Sequence, residues 1–305
     1  MSEALSQRSK LHLVTDTASS QWLAGRAPTL PLQADWQRVL RDITSCGLLK
    51  QEVSNGVATI RSSGEPWYAD LEGQSAWLRG PGVSIAGLTD YWAMAEITRS
   101  QRHGPFQNLD ISDYFGNCLL RLTLMEDSNW DGFNTLLVRQ WARRSAPLVL
   151  PGKNDLASSL NQLAQNTGLR LAGTLYDNWY DAERRYYPGI PVDASLLAPF
   201  LETFTDQVCP LNILFGNSGL IQQHESAFFD CVQFGATLRL RSNTAEFELD
   251  MDKVVGARLV ECERLGGVIR LYDEECRCVA AINVSAAADP GERDLWKSML
   301  RALID

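Results

Sequence analysis

Short β-forming runs, each cut off by a turn, recur through two long stretches of this chain, and that rhythm narrows the fold more than any other feature. In the first stretch, Val57-Ala58-Thr59-Ile60-Arg61 and Ser75-Ala76-Trp77-Leu78-Arg79 are separated by Gly- and Pro-bearing turns. In the second, Leu211–Phe215, Leu220–Gln223, Phe228–Phe234, Thr237–Arg241, Glu246–Leu249 and Ala257–Cys262 follow in close order. Such runs bounded by turn formers read as strands of a mainly antiparallel sheet. Val268–Tyr272 enters the acidic turn Asp273-Glu274-Glu275 and returns as Cys278–Val284. Cys118–Leu124, the turn residues Glu126–Asn129 with Asp131-Gly132, and Thr135–Arg139 read as a second hairpin. Apolar residues at helical spacing mark 35–46, Ser195–Phe204 and Arg293–Ile304, the last with Trp296, Met299, Leu300 and Leu303 on one face.

The two stretches look alike. Each has a helix, several short strands and an apolar-Arg-Leu strand: Leu120-Arg121-Leu122 in one and Ile269-Arg270-Leu271 in the other. Asp90 and Asp252 hold similar places, an offset of 252 − 90 = 162. The expected architecture is therefore α+β: two similar repeats, each a mainly antiparallel sheet flanked by helices, related by a pseudo-twofold about a central cleft. The expected boundaries are an N-terminal arm at 1–34, a first repeat at 35–146, a connector at 147–194 carrying Pro147, Pro151, Pro188 and Pro191, and a second repeat at 195–305.

Charge excludes some partners. Lys and Arg total 28 against 37 Asp and Glu, a net of −9, and an acidic chain is a poor match for a phosphate backbone. No run approaches the roughly 18 apolar residues that span a bilayer, and Met1–Arg8 lacks a signal-peptide core, so the expected location is cytoplasmic. The 7 cysteines are an odd number spread widely, which reads as reduced thiols rather than a disulfide framework.

Motifs for chemistry are sparse. There is no Gly-Lys-Ser/Thr phosphate loop, no G-x-G-x-x-G after a strand and no G-x-S-x-G elbow. The 3 histidines, His12, His103 and His224, are scattered. Cys276-Arg277-Cys278, taken as strand, would put two sulfurs on one face. The most unusual patch is Tyr176, Trp179, Tyr180, Tyr186 and Tyr187 with Arg184 and Arg185, which suits a flat aromatic ligand or a packing seam.

Three segments carry a resemblance. Phe215-Gly216-Asn217-Ser218-Gly219-Leu220-Ile221-Gln222-Gln223-His224, Leu271-Tyr272-Asp273, and Glu292-Arg293-Asp294-Leu295-Trp296 are similar to motifs of the haemin-degrading, HemS-like family of cytoplasmic haem-utilisation proteins. The resemblance covers roughly residues 35–305. It implies one haem between the repeats, an axial His from the connector, an Arg of the first repeat over the other face, and basic and polar groups of the second repeat on the propionates. This sequence departs at each of those places. The axial position falls at Trp179, the covering Arg at Ala86, the basic pair at Glu261 and Cys262, and the later contacts at Ala281, Asn283 and Ala286. Substitute iron ligands would be His224, Tyr176, Tyr180 or His103, and substitute propionate contacts Arg184, Arg185 and Arg239.

The resulting expectation is a cytoplasmic protein that binds haem, or a related flat apolar tetrapyrrole, in the inter-repeat cleft for iron acquisition or haem trafficking. The expected binding residues are His224 (also the metal ligand), Tyr176, Trp179, Tyr180, Arg184 and Arg239, with no catalytic residue and haem degradation implied by the resemblance alone. The alternative is a diverged, non-enzymatic relative that has lost haem and acts through protein contacts, with homodimerisation as one form of contact.

Overall fold

The computed structural model describes residues 29–32, 35–66, 68–99, 105–141, 189–260 and 267–304. The first half contains β1 (Leu30–Pro31), α1 (Trp36–Thr44), β2 (Gly47–Ser54), β3 (Ala58–Gly64), β4 (Tyr68–Glu72), β5 (Ser75–Gly80), β6 (Val83–Leu88), β7 (Met94–Arg99), β8 (Phe106–Ser112), β9 (Cys118–Ser128) and α2 (Trp130–Gln140). The second half contains β10 (Ile190–Val192), α3 (Leu197–Asp206), β11 (Pro210–Gly216), β12 (Leu220–Ala227), β13 (Asp230–Phe234), β14 (Thr237–Arg241), β15 (Ala245–Asp250), β16 (Gly256–Val260), β17 (Val268–Tyr272), β18 (Cys278–Val284) and α4 (Pro290–Ala302).

These strands form two 9-stranded antiparallel sheets. Sheet 1 runs β1-β7-β8-β9-β2-β3-β15-β14-β13, and sheet 2 runs β10-β16-β17-β18-β11-β12-β6-β5-β4. Adding nine to the first six labels of sheet 1 and subtracting nine from its last three yields the order of sheet 2. The α+β class with mainly antiparallel sheets agrees with the sequence reading. The strands are not divided half by half, however: β4, β5 and β6 extend sheet 2, and β13, β14 and β15 extend sheet 1. The joins are Phe247 opposite Ile60 and His224 opposite Val83.

The interior faces of the two sheets meet where Phe215 lies 6.3 Å from Phe247, ring to ring. Helices close the two ends. α1 packs against α2 and β4, and α3 against β13. Trp36 meets Trp92 edge-on at 5.2 Å. At the other end Phe200, Phe204 and Trp296 form a triangle with centroids 5.0–5.2 Å apart. Trp296 donates its indole N–H to the Gly267 carbonyl at 3.1 Å, satisfying the one polar atom of a fully buried ring.

Two asparagines lock the crossing point. Asn55 donates to the carbonyls of Gly216 (3.2 Å) and Val279 (2.8 Å), while its side-chain oxygen accepts from the amides of Val57 and Ala58. Asn217 donates to the carbonyls of Ser54 (3.2 Å) and Leu119 (2.8 Å), and its oxygen accepts from Gly219. The Gly-Asn-x-Gly segment thus supplies one of a reciprocal pair of clamps. Each satisfies carbonyls that the strand ladders leave open.

The structure corrects three local expectations. Thr135–Arg139 is not the return strand of a hairpin but part of α2, capped by Asn129, whose side chain accepts from the Gly132 amide at 3.2 Å. Cys276 is not on a strand beside Cys278. It occupies the turn before β18 at φ +62°. The Leu120-Arg121-Leu122 and Ile269-Arg270-Leu271 runs are not counterparts, because β9 stands fourth in sheet 1 and β17 third in sheet 2. The better match is between turns. Asp113 accepts from the amides of Phe115 and Asn117, and Asp273 from those of Glu275 and Arg277, an identical spacing.

Candidate functional site

Each sheet has one face packed towards the other sheet and one facing away from it, the outward face, and the outward faces differ sharply. That of sheet 2 is itself largely covered, with Arg270, Ala281, Leu214, Asn283 and Ala86 each 3% exposed or less. Register defines a row of eight residues across the same eight strands of each sheet. In sheet 1 the row reads Glu96–Asp110–Arg121–Glu52–Arg61–Glu246–Arg241–Asp230. In sheet 2 it reads Arg258–Arg270–Ala281–Leu214–Gln223–Ser84–Arg79–Tyr68.

The sheet 1 row is closed by its own charges. Arg121 grips Asp110 with two hydrogen bonds, at 2.7 and 3.0 Å. Arg61 pairs with Glu52 at 2.9 Å, Glu248 at 2.5 Å and Glu246 at 3.5 Å. The hydrogen bond to Asp110 raises the Arg121 pKa further above its already high value. Alternating charges on adjacent strands satisfy one another across the sheet.

The sheet 2 row has no such ladder. Its middle, Ala281–Leu214–Gln223–Ser84, is uncharged, and Ala281 and Leu214 are buried. Cations stand at both ends. At one end are Arg258 and Arg270, both close enough to Tyr272 to act on its phenol electrostatically. At the other, Arg79 lies 4.9 Å over the Trp77 ring and 5.8 Å over that of Tyr68. Ala86 and Asn283 flank the row on the same face, opposite Ile221 and Asn212. Asn212 donates to Asn283 at 3.0 Å. Ala86, Ala281 and Asn283, which the family resemblance marks as contact positions, thus share one surface.

The sequence-predicted residues are not gathered there. His224 sits on β12 next to Gln223, so strand alternation points it to the interior. It is 0% exposed, and neither ring nitrogen has a hydrogen-bond partner among the described residues. Burial holds its pKa down to about 4, so the imidazole is neutral near pH 7. Arg239 lies on the outward face of sheet 1, opposite Glu248. Tyr176, Trp179, Tyr180 and Arg184, together with Arg185 and His103, lie outside the described residues. Sequence reasoning missed Arg258, Arg270, Gln223 and Arg79, because only the register of eight strands aligns them.

The fold is that of a class of two-sheet α+β proteins known from solved structures. Those structures include ChuS, an E. coli haem oxygenase, with 16% identity over 91% of this chain and 89% of that one and a TM-score of 0.72. They also include holo-PhuS, a haem-binding protein from Pseudomonas aeruginosa, with 15% identity over 90% and 86% and a TM-score of 0.70. The apo form of PhuS gives a TM-score of 0.69. No family model and no curated protein matches the sequence.

Proposed function

We propose that the outward face of sheet 2 binds haem, or a related flat apolar ligand with an acidic edge, and that the protein serves haem utilisation in the cytoplasm. The observation that carries this reading is the uncharged middle of the sheet 2 row with arginines at its ends, set against the ion-paired ladder of sheet 1. A planar macrocycle favours a neutral floor, and its two propionates favour guanidinium partners. The likeness of fold to haem-binding ChuS and PhuS points the same way. No helix among the described residues is long and apolar enough to cross a membrane.

The fit is partial. The face offers a floor and an edge, but register puts no histidine on it among the described strands. Bound haem would supply the iron chemistry; Arg258 and Arg270 would hold the acidic edge, and Ala281, Leu214 and Gln223 would underlie the ring. The proposal is one of binding and carries no catalytic step. Haemin titration followed in the Soret region, with serum albumin as competitor, tests it. A saturable one-to-one shift is expected, weakened by Arg258→Met and by Gln223→Glu, which puts a negative charge under the ring. The absence of a saturable shift overturns it and favours a relative that acts through protein contacts.

A further inference from the structure

We propose that a cleft on the outward face of sheet 1 binds a small elongated dianion, a dicarboxylate with a hydrogen-bonding middle, between Lys50 and Arg99. The cleft holds about 480 Å³ and lies beside the charged ladder, one row along the strands. That volume falls within the usual range for small-molecule sites. The inference stands apart from the haem reading, which concerns the other sheet.

The charges lining the cleft sort into two groups. Asp110 is gripped by Arg121, and Glu52 by Arg61. Lys50 and Arg99 pair with no carboxylate among the described residues. Between them runs the neutral row Thr123–Asn108–Thr98, in register across three strands. Its side chains are already ordered: Asn108 donates to the Thr98 hydroxyl at 3.3 Å, and Thr98 donates to Asp110 at 3.0 Å.

Arg99 reaches this cleft through a local irregularity. Strand alternation would send it to the face opposite Thr98. A register shift between Thr98 and Arg99 breaks the alternation, and both side chains line the cleft. The guanidinium stacks 4.1 Å from the Phe106 ring centroid, which fixes its plane. Its Nε is buried without a hydrogen-bond partner among the described residues. A stacked, oriented fork with an unmet donor suits a carboxylate. Burial also lowers the Arg99 pKa, as expected of a cation short of a counter-charge.

Spacing selects the ligand. Lys50 and Arg99 stand on strands three apart, so their backbones are separated by roughly 14 Å at about 4.8 Å per strand. One compact anion does not reach both cations, whereas a chain with a carboxylate at each end does. Calorimetric titration of the full chain at low ionic strength with succinate, malate, citrate and inorganic phosphate tests this. Saturable binding of a dicarboxylate or tricarboxylate is expected, tighter than phosphate. Lys50→Met and Arg99→Met should each weaken it about tenfold or more, Arg99→Lys less, and Lys297→Met not at all. Far-UV circular dichroism checks that each variant folds. The proposal is overturned if no probe binds, if phosphate binds tightest, or if binding survives both Met substitutions unchanged.

Discussion

The outward faces of the two sheets occupy matching places and solve opposite problems. Position for position, Glu52 of sheet 1 corresponds to Leu214 of sheet 2, Arg121 to Ala281 and Arg61 to Gln223. Where one face carries a charge held by its neighbours, the other carries a small or neutral group. A carboxylate is tolerated at Glu52 because Arg61 lies 2.9 Å away and Arg121 stands directly opposite in register. The chain can therefore keep one backbone scaffold while setting paired charges on one face and neutral groups at the matching places of the other. A strand position does not fix what its side chain does; the residues one strand away on either side decide that.

Exchanging the counterparts is the most severe test of this comparison. Leu214→Glu puts a carboxylate at a site 1% exposed, between Ala281 and Gln223, with no cation beside it in the row. Isolating a charge in this way costs about 3 kcal/mol or more. The reciprocal Glu52→Leu removes a carboxylate whose side chain is 31% exposed, and Arg61 keeps Glu248 and Glu246. That change should cost less than about 1 kcal/mol. Chemical denaturation of both variants measures the asymmetry, and equal losses would break the comparison.

A second difference lies beneath the faces. His224 of sheet 2 corresponds in sheet position to Ser62 of sheet 1, each on the strand next to the join. The folded protein keeps His224 neutral down to about pH 4, whereas the unfolded chain takes up the proton near the ordinary value of 6.5. Between these values the unfolded form binds more protons, so stability falls as pH drops through that window. The loss should reach about 3 kcal/mol at the lower end, since the pKa falls from 6.5 to about 4 and each unit of difference is worth about 1.4 kcal/mol. His224→Ser should remove most of that slope in denaturation midpoints measured across the window. A slope that persists would assign it to other groups.

Much of this architecture was legible locally. Val268–Tyr272, the Asp273 turn and Cys278–Val284 could be read because each strand and turn is written in adjacent residues. α2 was misread for a specific reason. Thr135–Val138 is rich in residues that also suit strands, yet Asn129 three positions before Gly132 is a helix cap, and Phe133, Leu136, Leu137 and Gln140 follow at helical spacing and are buried. The division of strands between sheets was not legible. Nothing within β3 or β15 announces that they pair across 187 residues, as Arg61 and Glu248 do through their ion pair. The candidate face was hidden for the same reason: Arg270, Ala281, Leu214 and Gln223 come from four strands. His224 drew attention as a rare residue, but its alternation with Gln223 assigned it to the interior. Asn217 stood out as a motif, and its observed work is to clamp two carbonyls.

The smallest effect is expected where the two halves leave their corresponding helices. α1 is followed by Gly47 at φ +68°, and α3 by Val208 at φ +53°. Both are left-handed, a conformation that costs a β-branched residue about 1–2 kcal/mol and glycine little. Val208 holds the position that closes a helix through paired bonds: its amide donates to Thr205 at 3.0 Å, and that of Cys209 donates to Phe204 at 2.9 Å. Being 51% exposed, the Val208 side chain buries little apolar surface in return. Val208→Gly should therefore stabilise the protein, by about 1 kcal/mol, although glycine gains entropy in the unfolded chain. The variant should melt a few degrees higher, and Val208→Asn should fall between the two. A lower melting temperature for Val208→Gly would mean that the valine side chain contributes contacts at this helix end that outweigh its backbone strain.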